Sequence, residues 1–217
     1  MEKRIDNLEN ISQNNKVPIS YIRILHASPD APSVDIVANG GLIAKNLNYK
    51  DFTSYLKVIP GNYNIKIYPS GNMSVTTLNT NVKIPPYSIL TLVIGDNLSD
   101  LKLFVVPDNT RKVVENKALV RFSNLSPRSN SIDTYLKNGK QLFKGVNFGE
   151  YTNYIEIPPG VYSFQFKPED SNSVILSVPN THLKASNAYT IYFVGESSNN
   201  SLLQILIPMD GNSYIKF

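Results

Sequence analysis

The sequence predicts an all-β protein of two tandem antiparallel β-sandwich domains related by an internal repeat. Three observations lead there. Arg23-Ile-Leu-His-Ala-Ser-Pro-Asp-Ala-Pro-Ser-Val-Asp35 returns as Arg121-Phe-Ser-Asn-Leu-Ser-Pro-Arg-Ser-Asn-Ser-Ile-Asp133. The offset, about one hundred residues, is too long for a solenoid unit and suits a whole small domain. Within each copy, apolar and polar residues alternate with the two-residue period of a half-buried strand. Turn signals such as Asn39-Gly40, Pro69-Ser-Gly-Asn72, Pro85-Pro86, Gly95-Asp-Asn97 and Ser197-Ser-Asn-Asn200 then recur at sandwich spacing.

The elements follow in order. After the Ser-Pro pairs, Ser28-Pro29 and Ser126-Pro127, each copy reaches an Asp (Asp35, Asp133) and then Asn-Gly (Asn39-Gly40, Asn138-Gly139). The second copy holds one extra residue between these points. A one-residue slip would turn a strand inside out, so that residue belongs in the turn or in a bulge beside it. Tyr49-Lys-Asp-Phe-Thr-Ser-Tyr55 matches Phe148-Gly-Glu-Tyr-Thr-Asn-Tyr154, and Pro60-Gly61-Asn62-Tyr63 matches Pro159-Gly160-Val161-Tyr162. Pro-Gly is a turn signal, because proline presets one dihedral and glycine accepts the positive φ of the next position. Beyond it, Tyr63, Ile65 and Ile67 share one face, as do Tyr162, Phe164 and Phe166. Residues 88–94 and 189–194 are continuously apolar and β-branched or aromatic, which predicts strands covered on both sides. Val106-Pro107-Asp108 and Ile207-Pro208-Met209-Asp210 close the copies. Seven or eight strands per copy are expected, with an N-terminal polar segment at 1–20, repeats at 21–108 and 118–217, and a connector at 109–117.

Composition excludes several function classes. With no cysteine, there is no disulfide framework, thiolate metal site or cysteine nucleophile, so each sandwich must be held by its core. The net charge of +4 does not form a basic surface: cations and acids nearly balance within each copy, and the excess comes from Arg111, Lys112, Lys117 and Lys216. Nucleic acid is therefore not an expected partner. Residues 1–16 are polar, with Ile5, Leu8 and Ile11 at the spacing of a short amphipathic helix, and show no signal-peptide pattern. No run is long enough to span a bilayer as a helix.

Taken together, Ile24-Leu-His-Ala-Ser-Pro-Asp-Ala-Pro-Ser-Val-Asp35, Asn39-Gly40 and Pro60-Gly61-Asn62-Tyr63 resemble the bacterial domain of unknown function family 4397. The match extends over nearly the whole chain, and is stronger in the first copy than in the second, where His26 becomes Asn124, Ala27 becomes Leu125 and Asp30 becomes Arg128. The resemblance implies tandem immunoglobulin-like sandwiches without an established activity, and a cell-surface or spore-associated location. The lack of a leader pattern leaves a cytoplasmic location open.

Residues kept in both copies most simply serve the fold that both share. Ser28, Pro29, Asp35, Pro60, Gly61 and Tyr63 form such a set, with counterparts Ser126, Pro127, Asp133, Pro159, Gly160 and Tyr162. Asp35 and Asp133 are expected to accept backbone hydrogen bonds from the Ser-Pro loop, and Tyr63 and Tyr162 to act as corner residues. If one copy carries a site, His26, Asp30 and Asp35 are its polar residues. His26 and His182, the two histidines, lie in different copies without zinc spacing, so no metal or cofactor is expected. No nucleophile elbow or phosphate loop is present, and Asp96-Asn-Leu-Ser-Asp100 reads as a polar hairpin before it reads as a calcium loop. With thirteen Tyr, nine Phe and no Trp, the unshared Tyr68, Tyr87, Tyr135 and Tyr192 are the aromatics expected at a binding surface. The expected function is a non-enzymatic structural or adhesive module with a protein or glycan partner. The alternatives are a carbohydrate or polymer-binding module using exposed Tyr of one repeat, and a hydrolase built on His26, Asp30 and Asp35.

Overall fold

A computed structural model describes residues 17–108, 113–196 and 202–217. Among these residues each half contains eight strands. The first half runs β1 Ser20–His26, β2 Val34–Ala38, β3 Gly41–Leu47, β4 Leu56–Val58, β5 Gly61–Pro69, β6 Leu78–Ile84, β7 Ile89–Gly95 and β8 Lys102–Pro107. The second repeats it as β9 Ala118–Asn124, β10 Ile132–Leu136, β11 Gln141–Val146, β12 Ile155–Ile157, β13 Gly160–Pro168, β14 Leu176–Leu183, β15 Ala188–Val194 and β16 Gln204–Leu206. The helix spacing read in residues 1–16 and the turn at 197–200 lie outside the described residues.

Two four-stranded sheets make each sandwich, ordered β4-β1-β7-β8 and β3-β2-β5-β6 in the first half, and β12-β9-β15-β16 and β11-β10-β13-β14 in the second. Pairing is antiparallel except for β1 with β7 and β9 with β15, which run parallel. Those parallel pairs are an addition to the all-antiparallel expectation: within one sheet the first strand lies between the fourth and the seventh rather than beside its sequence neighbour.

Turn chemistry follows the sequence. Asn39 and Gly40 have φ of 48° and 84°, the two left-handed positions of a two-residue hairpin turn. In the second half the amide of Leu136 donates to the Lys140 carbonyl across a three-residue loop, with Gly139 at φ 90°. The extra residue of the second copy is thus taken up in the turn. Tyr63 Oη donates to the Ile59 carbonyl at 2.7 Å and Tyr162 Oη to the Pro158 carbonyl at 2.6 Å, fastening the Pro-Gly corner in both halves.

The two cores differ in chemistry. Ile22, Ile24, Ile36, Ile65, Ile67 and Leu92 fill the first, whereas Phe122, Phe143, Phe164, Phe166 and Phe193 dominate the second. Strands β7 and β15 are buried along their whole length. One face lies on its own core, and the other meets the opposite half. There Leu25, Ala27, Val93 and Val106 pack with Leu125, Tyr192 and Val194, joined by Phe52, Phe104 and Leu206. The β4-β1-β7-β8 sheet of one sandwich thus faces the β12-β9-β15-β16 sheet of the other across a buried seam.

Candidate functional site

Polar side chains gather in two places, the Ser-Pro loops and the seam. At the first Ser-Pro loop, His26 is fully buried at the end of β1. Its Nδ1 accepts the Ser28 amide at 3.3 Å, and its Nε2 lies 2.9 Å from the Pro32 carbonyl, which fixes a neutral ring donating from Nε2. Burial holds its pKa below the usual histidine value. In the second loop Asn124 makes the same bond: its Oδ1 accepts the Ser126 amide at 3.1 Å, while its Nδ2 donates to Ser129 Oγ and the Val146 carbonyl. His26 and Asn124 are two solutions to one backbone problem.

Asp35 is 2 % exposed and accepts from the amides of Asn46 at 2.8 Å and Gly71 at 3.0 Å, and from Ser70 Oγ at 3.1 Å. The Gly71 and Asn46 amides hold its pKa below the usual carboxylate value. Its donors come from β3 and the β5–β6 turn, not from the Ser-Pro loop as the sequence suggested, because β2 lies between those elements in the sheet. Asp133 is clipped in the same manner by the Gly145 amide, Gln141 Nε2 and Tyr135 Oη. Asp30 is exposed and accepts the Leu98 amide at 2.8 Å. Ser28 lies between His26 and Asp30, but its amide, not its hydroxyl, meets the imidazole, and it is fully buried. His26, Asp30 and Asp35 each serve a separate backbone clip, and the Ser28 hydroxyl donates to Asp30 Oδ1 at 3.4 Å without meeting the imidazole.

The aromatics divide. Tyr87 is 51 % exposed and meets Phe217 edge-on at 5.8 Å. Tyr68 is half-buried opposite Asp35 in the β2–β5 pair. Tyr135 carries Lys167 Nζ over its ring at 4.7 Å. Tyr192 is a correction to the expected surface set: it is fully buried, because the sheet face that bears it is covered by the other sandwich.

The densest cluster is one whose members the sequence displayed without showing their purpose. Arg23 on β1 extends into the seam, where Nη2 pairs with Asp210 Oδ1 of the second half at 2.6 Å, Nη1 donates to the Met209 carbonyl and Nε to Thr91 Oγ1. Arg121 on β9 does the reverse: Nη2 pairs with Asp108 Oδ1 of the first half at 3.2 Å, Nη1 donates to the Pro107 carbonyl and Nε to Thr190 Oγ1. Tyr55 Oη donates to Asp108 and Tyr154 Oη to Asp210, at 2.6 and 2.7 Å. Each guanidinium also lies over two rings, Arg23 over Phe52 and Tyr55, and Arg121 over Tyr151 and Tyr154. The pattern is reciprocal, a local two-fold relation between non-identical halves.

Electrostatics follow from burial. Desolvation works against the Arg23 charge, but Tyr192, Asp210 and further acidic neighbours outweigh it and hold its pKa above the usual arginine value. Asp108 is pushed up to about 6 by burial and by the neighbouring Asp210 charge, against the pull of Arg23, Tyr55 and Arg121. Burial is also the main reason that the Tyr55 and Tyr154 hydroxyls are held protonated. Such an array binds its halves, and a cleft of about 380 Å³ lined by Tyr21, Arg23, Tyr55 and Tyr214 opens beside it. A separate groove of about 800 Å³ opens near the chain's end, lined by Ile89, Val113, Asn212, Tyr214 and Phe217 among others. Asn212 lines it with a buried side-chain amide that has no hydrogen-bond partner among the described residues. Among the described residues no group of histidine and carboxylate side chains is placed to hold a metal, and no helix is long and apolar enough to cross a membrane.

The sequence profile of a domain of unknown function, DUF4397, matches residues 20–135 and 126–214. The chain belongs to this family. In this DUF4397 pair the phrase from His26 to Asp35 is a loop-fastening device, as the clips above show. No curated protein matches the chain. Among solved structures, it is similar to the family-26 carbohydrate-binding module of Amy13K from Eubacterium rectale, solved with maltoheptaose, at 8 % identity over 88 % of this chain and 98 % of that one, TM-score 0.27. The TIE protein of Bacillus anthracis gives 13 % identity and TM-score 0.27 over 81 % of this chain, which spans only 33 % of that protein's length. A streptococcal virulence factor described as binding α-glucan gives 16 % identity and TM-score 0.27 over 91 % of this chain and 100 % of that one. At these scores no inference about function passes from those proteins to this one.

Proposed function

We propose that this DUF4397 pair is a non-enzymatic structural or adhesive module of a bacterial cell envelope or spore surface. One observation carries the proposal: the buried Arg23, Arg121, Asp108 and Asp210 of the seam bind one sandwich to the other and the buried Asp35 is taken up by backbone amides, which leaves loop tips and outer sheet faces as the working surface. Buried groups fully engaged in structure have no free valence for chemistry, whereas a rigid two-domain body suits a load-bearing or spacing role. Protease shaving of intact source cells and spores tests this, with a cytoplasmic enzyme as control. Peptides of the protein released without lysis support the reading; retention in the soluble interior defeats it.

A glycan-binding role is the second reading, favoured by the exposed aromatics Tyr87, Tyr214 and Phe217 beside the groove. Aromatic faces stack on sugar rings. Retardation in gels containing envelope polysaccharide, lost in Tyr87→Ala and Tyr214→Ala, is the expected result. Unchanged migration on all polysaccharides tried removes this reading.

A further inference from the structure

We infer that the seam is a homotypic docking surface, so that a second copy of this chain can supply the opposing repeat and two chains can pair by exchanging halves. This goes beyond the functional reading and does not depend on it. The first ground is reciprocity. Arg23 with Asp210 and Arg121 with Asp108 are equivalent pairs, and Tyr55 with Tyr154, and Thr91 with Thr190, fill equivalent places around them. A surface that recognises its own near-copy is self-complementary, as a two-fold interface must be.

The second ground is that nothing in the seam requires the two halves to belong to one chain. The contacts are made by strands, by the segments preceding β4 and β12, and by those after β8 and β16. Val113 of the connector packs on Leu119, Ala188 and Tyr154 of the second half. The chain's end mirrors it on the first half, where Tyr214 meets Tyr55 and Phe217 meets Tyr21. Only the covalent path through residues 109–117 distinguishes self from partner. The third ground is fit. Gly211 of the second half sits so close to Ile89 and Tyr55 of the first that a Cβ would lie 2.7 and 3.0 Å from them, and its amide donates to Asp108 Oδ2 at 2.9 Å. Phe104 meets Phe148, and Phe52 meets Tyr192, across the same boundary. A contact with buried charge pairs and close packing is specific enough to exclude unrelated surfaces. Tethering gives the intramolecular contact an effective concentration in the millimolar range, so the closed single chain prevails in dilute solution and exchange emerges where copies crowd.

The test uses full-length chains. Arg23→Asp places two carboxylates together at one pair, and Asp210→Arg places two guanidinium groups together. Mixed, the two variants restore opposite charge only between chains. The expected result is a 1:1 heterodimer of twice the single-chain mass by light scattering, with its melting temperature raised above that of either variant alone. If the cis double variant Arg23→Asp/Asp210→Arg folds as the wild type does, yet the mixture stays as two separate monomers, the proposal fails. Should none of these variants fold, two differently tagged wild-type pools are unfolded and refolded together at rising concentration. Mixed-tag dimers that increase with concentration then support exchange, and strictly monomeric protein at every concentration overturns it.

Discussion

Replacing Arg23 by alanine removes one half of a buried charge pair and leaves Asp210 behind. Asp210 is fully buried and, among the described residues, would retain Tyr154 Oη and Thr190 Oγ1 as close donors. Removing one partner of such a pair costs about 3–5 kcal/mol, because the remaining charge stays desolvated without its counter-ion. The loss of the Thr91 bond and of the stacking over Phe52 and Tyr55 acts in the same direction. Arg121→Ala should cost a similar amount by the reciprocal argument. The double variant should cost less than the sum, since both arginines share the Asp108–Asp210 network. Urea unfolding, followed at once by tyrosine fluorescence and far-ultraviolet circular dichroism, measures this. The wild type should unfold in one transition and Arg23→Ala in two, as the sandwiches uncouple. A loss below about 1 kcal/mol with a single transition retained would refute the reasoning, placing the pair at the level of a surface salt bridge.

Three further outcomes are expected. His26→Asn should fold, because Asn124 shows that an amide accepts the same backbone N–H, and it should flatten the acid dependence of stability. With its folded pKa below the unfolded value, His26 contributes stability that is present above about pH 6.5 and lost as pH falls through the folded pKa. Asp108, raised to about 6, acts with opposite sign, its contribution full below 3.8 and lost as pH rises through 6, so the difference between wild type and His26→Asn isolates the histidine. Asp35→Ala should lower stability by about 1–3 kcal/mol in thermal unfolding, because the Asn46 and Gly71 amides lose their acceptor. Gly149→Ala should cost at least about 1–2 kcal/mol, since residue 149 has φ +80° and its new Cβ would lie 2.7 Å from Phe104 across the seam.

Strands and turns were legible because their signals are local. Alternation at Tyr63, Ile65 and Ile67 reports a face buried in the core between the two sheets of its own sandwich, and Asn39-Gly40 reports a dihedral requirement within two residues. The seam was legible only as coincidence. Arg23, Tyr55, Asp108 and their counterparts Arg121, Tyr154 and Asp210 stood at matching places in both copies, but an arginine within an apolar strand reads equally well as a solvent-facing residue. What covers it is another domain, and no single repeat encodes that. Tyr192 was misplaced for the same reason: it is unshared, standing where the first copy has Val93, and its burial depends on Phe52 of the other half. The Asp35 clip was anticipated in kind and not in partner, because its donors from residues 46 and 70–71 become neighbours only once β2 lies between β3 and β5.

Small-angle X-ray scattering of the full-length protein at low and high salt tests most directly whether the two repeats form one body. The buried ion pairs and apolar seam predict a profile that fits the docked pair and does not change with ionic strength, since buried charges are screened little by salt. A profile requiring two sandwiches that tumble independently at either salt concentration would contradict the account.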